Sequence, residues 1–490
     1  MFWNKFCSGA YQARALHIDA EACINLFPET LTASVNEKKT VLYGTPGLRL
    51  LATAAQTIGR GQFTQDGRTF TVIGTVLYEL TLTGAGPTVA VSVTARGSVA
   101  TDGLPVFFAS NGLGGKQLLI ASAGQLYVLN LVANTLSVAV TLPLTNPCGR
   151  VVFLNGYFLL VETSTLKVWY SALEDGTTWP GLNFFARSNL SDNVIDIMVL
   201  HDQLKVFGSV TSEWFYDSGD PNTPFIPYPG AITMDGAVSA FSDTISGETI
   251  VWLAKNGQNV VRMMASGVGE ASVISTPAVE FALASYATVA DAEVLAYEQE
   301  GHAFVAWTFP TADVTWVYDL VEHQWHQRAG WDNTNALFHR WRARGCCAPG
   351  SQCTLVGDAL TGAIYALSLD VFTDNTTLIK RLRRAPYLST ENQWLFLDQI
   401  ELGLQAGVGC AAVPNPQINL RLSRDFGNTY SALMPTAMGA SGVFLQRAIW
   451  RRLARVRADQ LVIEVSQTDA VRAAYGPGIF LRTSPGSGQL

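Results

Sequence analysis

The chain has 490 residues and a mass of 52.9 kDa, which allows two or three domains or one large closed repeat domain. Hydrophobic residues make up 48% and charged residues only 14%, so we expect apolar surface to be buried between subunits. The net charge of −7 excludes a generally basic nucleic-acid binder, and any contact with DNA must be local or weak.

Membrane, export and metal signals are weak throughout the chain. Gly, Asn, Asp or Pro interrupts every apolar run before the roughly 20 residues that a membrane-spanning helix needs. The first residues, MFWNKFCSGAYQARA, lack the apolar core of a secretory signal, so we expect folding in a cytoplasm with the seven cysteines reduced. Cys346, Cys347 and Cys353 cluster, but a vicinal pair does not fit zinc spacing. We expect no metal and no other cofactor.

The N-terminal residues predict an extended arm over residues 11–29 that enters a strand over residues 41–51. Thr45, Pro46 and Gly47 place a fixed and then a permissive φ where a tight turn needs them.

About seven related strand–turn–strand segments follow, roughly 30 to 60 residues apart. Asn155-Gly156 is the strongest hairpin turn among them. The best-defined hairpin, TWVYDLVEHQWHQR, has aromatic anchors at Tyr318 and Trp325 and cannot bury its apolar face alone. The segments are residues 62–82, 117–131, 150–170, 194–216, 249–264, 294–328 and 354–369.

This repetition predicts an all-β fold with a β-propeller of about six or seven blades, because a closed ring removes edge strands that would otherwise aggregate. Passable helical windows are residues 282–295 and 447–458, and the second is as easily a strand. A basic run and longer loops after Asp374 predict a second, smaller C-terminal β domain. We therefore expect the N-terminal arm and first strand at residues 1–55, the propeller at 56–373 and the second domain at 374–490, with a mobile tail from residue 482.

The sequence SRDFGNTY matches the Asp-box pattern, in which the carboxylate caps backbone N–H groups of a turn and the glycine supplies a permissive dihedral. We interpret it as a structural turn rather than a functional site. Its residues are Ser423, Asp425, Gly427, Thr429 and Tyr430.

Asp boxes occur in sialidase propellers, which makes a glycosidase the first enzyme class to weigh. Such an enzyme needs two carboxyl groups across a cleft, and a sialidase also needs several arginines together. No carboxyl pair stands out, and arginines are sparse between residues 70 and 331. His323 and His326 flank Trp325 but would point to opposite faces of a strand, so we interpret them as polar turn residues. The sequence therefore favours a protein that is not an enzyme.

Two basic clusters are candidates for binding acidic rims of a neighbouring subunit, or alternatively DNA phosphates. The acidic total favours the subunit contact. The candidates are Lys380, Arg381, Arg383 and Arg384 in the first cluster, and Arg451, Arg452, Arg455 and Arg457 in the second.

Six stretches together resemble the packaged-DNA stabilisation proteins of short-tailed phages, also called tail hub or nozzle proteins. They are YQARALHIDAEACINLFPE, VLYGTPGL, DGTTWPGLNF, GSVTSEWFYDSGDPNTPF, GHAFVAWTFPTADVTWVYD and VGDALTGAIYAL. The similarity follows the order of the chain and weakens after Asp374.

The resemblance implies a structural virion protein of the phage tail that assembles in the host cytoplasm. It implies a ring, expected to be a hexamer, below the portal and its adaptor, which extends the DNA channel, retains packaged DNA and allows genome ejection. The implied partners are further copies of the chain, the adaptor and portal, a tail needle or plug, a tailspike or tail fibre, and DNA bound without sequence specificity. A sialidase-like propeller that binds or cleaves glycans stays the alternative, with a kelch-like scaffold behind it.

Overall fold

The computed structural model describes residues 2–34, 37–138, 141–187, 190–350, 353–386 and 394–485. It consists of a β-propeller followed by a β-sandwich, so the all-β prediction is confirmed. Helical structure is confined, within these ranges, to Gly112–Gly115 and Pro277–Ser285 and to the 3₁₀ turns Asn4–Phe6, Gly86–Thr88 and Ala458–Gln460. None of the described helices has the length and apolar character that crossing a bilayer takes.

Seven antiparallel sheets form the blades in the described part of the chain, and each contains one of the predicted hairpin segments. The innermost strands follow one another around a common axis. Blades 1 to 4 comprise Gly59–Gln65, Arg68–Ile73, Val76–Thr83 and Ala90–Ser98; Phe107–Ser110, Gln117–Ser122, Gln125–Asn130 and Thr135–Val138; Cys148–Leu154, Tyr157–Glu162, Lys167–Tyr170 and Phe184–Ala186; Val194–Leu200, Gln203–Gly208, Ser212–Asp217 and Phe225–Thr233.

Blades 5 to 7 complete the ring, and two short strands share the innermost position of blade 5. Their strands are Asp235–Ala237, Asp243–Ser246, Thr249–Asn256, Val261–Ser266 and Ala271–Val273; Glu293–Gln299, His302–Phe309, Val314–Asp319, Gln324–Asp332 and Leu337–Arg340; Ala343–Cys347, Leu355–Asp358 and Ala363–Ser368, with Thr373–Asp374 and Thr377–Leu378 at the outer side of blade 7.

Turn chemistry explains where the hairpins reverse. Asn155 and Gly156 have φ values of 48° and 86°, the left-handed pair that a type I′ turn requires. Between the turns, large apolar side chains such as Trp252 and Trp307 are fully buried between neighbouring sheets. Sequence alternation and turn residues therefore fix each blade locally.

Ring closure depends on a strand from the beginning of the chain. Gly47–Thr53 pairs antiparallel with Ala363–Ser368 and supplies the fourth strand of blade 7, with Leu48 opposite Leu367. Hydrogen bonds between segments more than 300 residues apart thus hold the first and last parts of the propeller together.

The C-terminal sandwich also takes strands from the N-terminal segment. Its first sheet contains Phe2–Trp3, Leu26–Ser34, Glu37–Gly44, Ala474–Pro485, Trp394–Leu404 and Ala448–Arg457, and its second contains Arg381–Pro386, Val462–Gln467, Gln417–Ser423 and Met434–Ala437. Apolar side chains from both sheets, including Ile400, Leu420, Trp450 and Ile463, pack into one core.

One strand joins the two parts into a continuous sheet. Ile24, in Ala22–Ile24, lies parallel to Gln327 of blade 6 and antiparallel to Leu382 of the sandwich. The sequence predicts an extended arm here, and the structure instead builds residues 22–24, 26–34 and 37–44 into sheets. No local pattern could indicate this, because the partner strands lie hundreds of residues away.

Two local predictions need correction. The helix Pro277–Ser285 begins at the N-cap Thr276 and overlaps the predicted window 282–295 only at its end. The tail predicted to be mobile from residue 482 is wrong up to Pro485, because residues 482–485 belong to the strand Ala474–Pro485. Residues 486–490 lie outside the described part.

Candidate functional site

The inner strands of the blades surround a cavity of about 300 Å³ at the propeller axis. Its wall is formed largely by residues of blades 1, 2, 3, 5, 6 and 7. This is the place where propellers commonly hold a ligand, so its chemistry tests the glycan-active alternative.

Three arginines from different blades reach this cavity, namely Arg60, Arg150 and Arg344. The expectation that arginines could not assemble here is therefore wrong, because the fold brings Arg60 and Arg344 together from opposite ends of the propeller sequence. No short motif signals this convergence.

All three guanidinium groups are engaged within the chain. Arg60 donates to Asp102 (2.9 Å) and to three backbone carbonyls. Arg344 holds Glu293 through two nitrogens, with 2.7 Å between Nε and Oε2. An anionic sugar would have to displace these carboxylates, so the site does not fit the free arginine cluster of a sialidase.

Arg150 lies between two buried carboxyl groups. Its Nε is 2.8 Å from Asp196 and its Nη2 is 2.9 Å from Asp243. Burial, followed by the nearby Asp196 carboxylate, raises the pKa of Asp243 well above its ordinary value. Two carboxyl groups that both contact one arginine form an internal ion-pair network rather than an open catalytic pair.

Aromatic rings narrow the same cavity. Phe107 of blade 2 stacks on Phe241 of blade 5 with 5.0 Å between ring centroids, and the Arg150 guanidinium lies 4.4 Å from the Phe107 ring. The remaining space is far too small for a DNA duplex, whose major groove alone is about 12 Å wide. DNA cannot pass through the propeller of a single copy.

The Asp-box residues form a compact turn at the end of the sandwich strand Gln417–Ser423. Asp425 accepts hydrogen bonds from the Thr429 backbone N–H (2.9 Å) and hydroxyl (2.6 Å), and these bonds lower its pKa to about 2. The Ser423 hydroxyl accepts from the backbone N–H of Gly427, which has φ of 92°. Tyr430 packs against Arg384 and Arg421, with cation–ring distances of 4.8 and 5.1 Å. Every contact is one that stabilises a turn.

The first basic cluster is used inside the chain. Arg381 and Arg383 are buried, so the prediction that they contact a partner or DNA is wrong. Arg383 donates to the Gly9 carbonyl (2.8 Å), the Phe6 carbonyl (2.5 Å) and Glu21 (2.8 Å), which fastens the N-terminal segment to the sandwich.

The two outer members of that cluster are also engaged. The Lys380 ammonium lies 3.9 Å from the Trp331 ring centroid, and Arg384 pairs with Glu464 at 2.7 Å. A run of basic letters thus indicates a buried network here, because the backbone and carboxyl partners come from distant strands.

The second basic cluster lies on the sandwich strand Ala448–Arg457. Arg451, Arg452 and Arg455 are exposed and form no ion pair with any described carboxylate. Arg457 is half-buried and 3.6 Å from Asp459. The exposed three stay candidates for contact with a partner.

The histidines and cysteines do not converge on a metal site. His323 lies in the turn, whereas His326 is fully buried in a strand, so its interpretation as a polar turn residue is wrong. Burial lowers the pKa of His326 to about 3. No group of three metal-ligating side chains occurs among the described residues.

Comparison with known families now supplies what the geometry lacks. Residues 5–372 match a family model described as "Bacteriophage P22 Gp10, beta-propeller", and residues 380–474 match one described as "Bacteriophage P22 Gp10, beta-sandwich".

The chain belongs to the bacteriophage P22 Gp10 family.

It is therefore a structural protein of a phage virion, and the resemblance found in the sequence is confirmed. Members of the P22 Gp10 family are components of the virion tail, which agrees with an axis cavity whose charged groups are satisfied internally.

Curated sequences and solved structures add little to the family assignment. No curated protein sequence matches the chain. A structure of PorZ from Porphyromonas gingivalis matches with 12% identity and a TM-score of 0.38, and covers 73% of this chain and 44% of that chain. The extracellular domain of BT4673 from B. thetaiotaomicron matches with 11% identity and a TM-score of 0.44, and covers 74% of this chain and 45% of that chain. The chain thus spans less than half of either, and these distant likenesses carry no functional argument.

Proposed function

We propose that the chain is the tail hub, or nozzle, of a short-tailed phage. Several copies form a ring, six by expectation, below the portal and its adaptor, extend the DNA channel, help to retain packaged DNA and allow its ejection. Assembly takes place in the host cytoplasm. Further partners are a tail needle or plug and a tailspike or tail fibre.

The observation that carries this proposal is the match of both domains, in order, to the P22 Gp10 family. The closed axis supports it further, because a propeller whose own bore is blocked by Phe107 and Phe241 can only line a channel between copies. DNA then contacts the outer surfaces of several propellers, and an overall charge of −7 keeps these contacts weak.

Electron microscopy of the purified chain, alone and mixed with portal–adaptor rings, tests this function. We expect a ring with a wide central pore, formed on the adaptor or alone. A chain that ignores the adaptor and binds sialylated glycans would contradict it and would favour the glycan-active propeller.

A further inference from the structure

Two exposed surfaces of opposite charge lie on different parts of the chain. The first, which we call the arginine sheet face, is the outward side of the sandwich strands Trp394–Leu404, Ala448–Arg457 and Ala474–Pro485. Strand register puts its side chains on one side, because Phe396 lies opposite Arg455 and Gln399 lies opposite both Arg451 and Arg482. The members used below are Trp394, Phe396, Arg451, Arg455, Phe480 and Arg482.

This face combines unneutralised cations with exposed aromatic rings. Trp394, Phe396 and Phe480 have 40%, 41% and 48% of their surface exposed. Arg455 stacks 4.4 Å from the Trp394 ring, and neither it nor Arg451 pairs with a carboxylate in the described ranges. Aromatic and arginine side chains are the types enriched at protein interfaces.

The second surface, the acidic turn patch, lies on the turns at one end of blades 3, 4 and 5. All these turns join the first strand of a blade to its second, or its third to its fourth, so antiparallel pairing places them at the same end of the propeller. Its members are Glu174, Asp202, Asp217, Asp220, Glu248 and Glu270.

No basic residue balances these carboxylates locally. The turn segments 171–183, 201–202, 217–224, 247–248 and 267–270 contain neither Lys nor Arg. None of the six carboxylates forms an ion pair with a cation that the structure describes. Exposed apolar residues accompany them, since Leu173, Leu182 and Val268 are 63%, 87% and 47% exposed.

We propose that the acidic turn patch of one copy docks on the arginine sheet face of a second copy. Each surface supplies the charge that the other lacks, and each also has apolar residues to bury. Because the two surfaces differ, the contact is head-to-tail, and such contacts close into rings when the rotation between copies permits.

A second copy fits the arginine sheet face better than DNA does. Phosphates would neutralise the arginines, but the acidic patch brings carboxylates together with apolar side chains for the three aromatic rings. The inference rests on the proposed function, since a tail hub needs a ring, and it names the surfaces that build it.

Charge reversal tests the docking, measured by sedimentation velocity of the full chain at low and high salt. One variant carries Arg451→Glu, Arg455→Glu and Arg482→Glu, and the other carries Asp217→Lys, Asp220→Lys and Glu248→Lys. We expect the wild type to self-associate in a salt-sensitive way and each variant to lose at least about tenfold in association constant.

Mixing the two variants gives the sharpest outcome. Each retains one intact surface, so a 1:1 mixture forms a heterodimer that does not grow, and one chain carrying all six changes regains self-association. A control with Lys5→Glu, Arg424→Glu and Arg472→Glu makes the same change in charge on other exposed residues and leaves association intact.

Three results would overturn the docking. They are a wild type with no salt-sensitive association, reversed variants that associate normally, or a six-change chain that does not recover. Arginine variants that lose only the binding of a fluorescent oligonucleotide would assign the face to DNA instead. If these variants still form rings on the adaptor, the surfaces are wrong but the hub stands; if the wild type ignores the adaptor, the hub itself fails.

Discussion

Lys205 is a buried cation in blade 4 that no carboxylate neutralises. Its ammonium lies 4.1 Å from the Trp252 ring centroid and 5.1 Å from that of Trp214, and no hydrogen-bond acceptor reaches it in the described structure. Burial lowers the pKa of Lys205 from 10.5 to about 7. The folded state therefore binds fewer protons here than the unfolded state between pH 7 and about 10.

Replacement of this lysine reports its cost. Since the unfolded state binds more protons across that range, the free energy of unfolding of the wild type rises with pH from about 7 to about 10. Lys205→Met removes this contribution and stabilises the chain at pH 7 by roughly 1–4 kcal/mol, as for other buried charges replaced by apolar residues. Urea denaturation at pH 7 and pH 9.5 measures both effects. Lys167→Met is the control, because Lys167 also lies over aromatic rings but is half-exposed.

Arg383 presents the opposite situation, a buried cation with many partners. Arg383→Ala leaves the carbonyls of Phe6 and Gly9 and the carboxylate of Glu21 without their donor, which costs about 3–5 kcal/mol. We expect a lower melting temperature and proteolytic cleavage within the first 22 residues. Arg451→Ala, on the surface, should change stability by no more than about 0.5 kcal/mol. Equal stability of the two variants would contradict the anchoring role of Arg383.

Among the elements, the strand Gly47–Thr53 has the most consequence, because it closes the propeller. A Cβ on Gly47 would lie 2.3 Å from the Val371 carbonyl oxygen and 2.6 Å from that of Thr373. Gly47→Ala must therefore push the strand away from blade 7, at a cost of roughly 1–3 kcal/mol. Hydrogen exchange of residues 363–368 should become faster. Gly114→Ala meets open space and leaves exchange there unchanged.

The blades could be predicted from the sequence because their determinants are local. Alternating strands and turns such as Asn155-Gly156 specify a hairpin within about 20 residues, and all seven predicted segments lie in blades. Pairings such as Leu48 with Leu367 and Ile24 with Gln327 have no local signature. The same limit explains why Arg383 resembled a surface residue and why the arginines of the axis were missed.

At the scale of the whole molecule, the N-terminal segment ties the propeller to the sandwich. Leu42 pairs with Tyr475, and Phe2 pairs with Phe480, so the sandwich is incomplete without residues 2–44. A fragment of residues 374–490, the domain expected from sequence, lacks these strands and should be unfolded by circular dichroism. Addition of residues 1–46 through a flexible linker should restore sheet signal and a cooperative melting transition. A fragment that folds alone would show that the N-terminal strands are dispensable.

The pairing of Phe2 with Phe480 also has a consequence for the order of events during translation. Ribosomes extend a chain by about 5–20 residues per second, so the first strand waits about half a minute to a minute and a half for its partner. During that time the strand Gly47–Thr53 also lacks Ala363–Ser368, and both expose unpaired backbone edges. Blades 1 to 6 can fold as they emerge, but the nascent chain needs protection of its N-terminal strands until the last residues leave the ribosome.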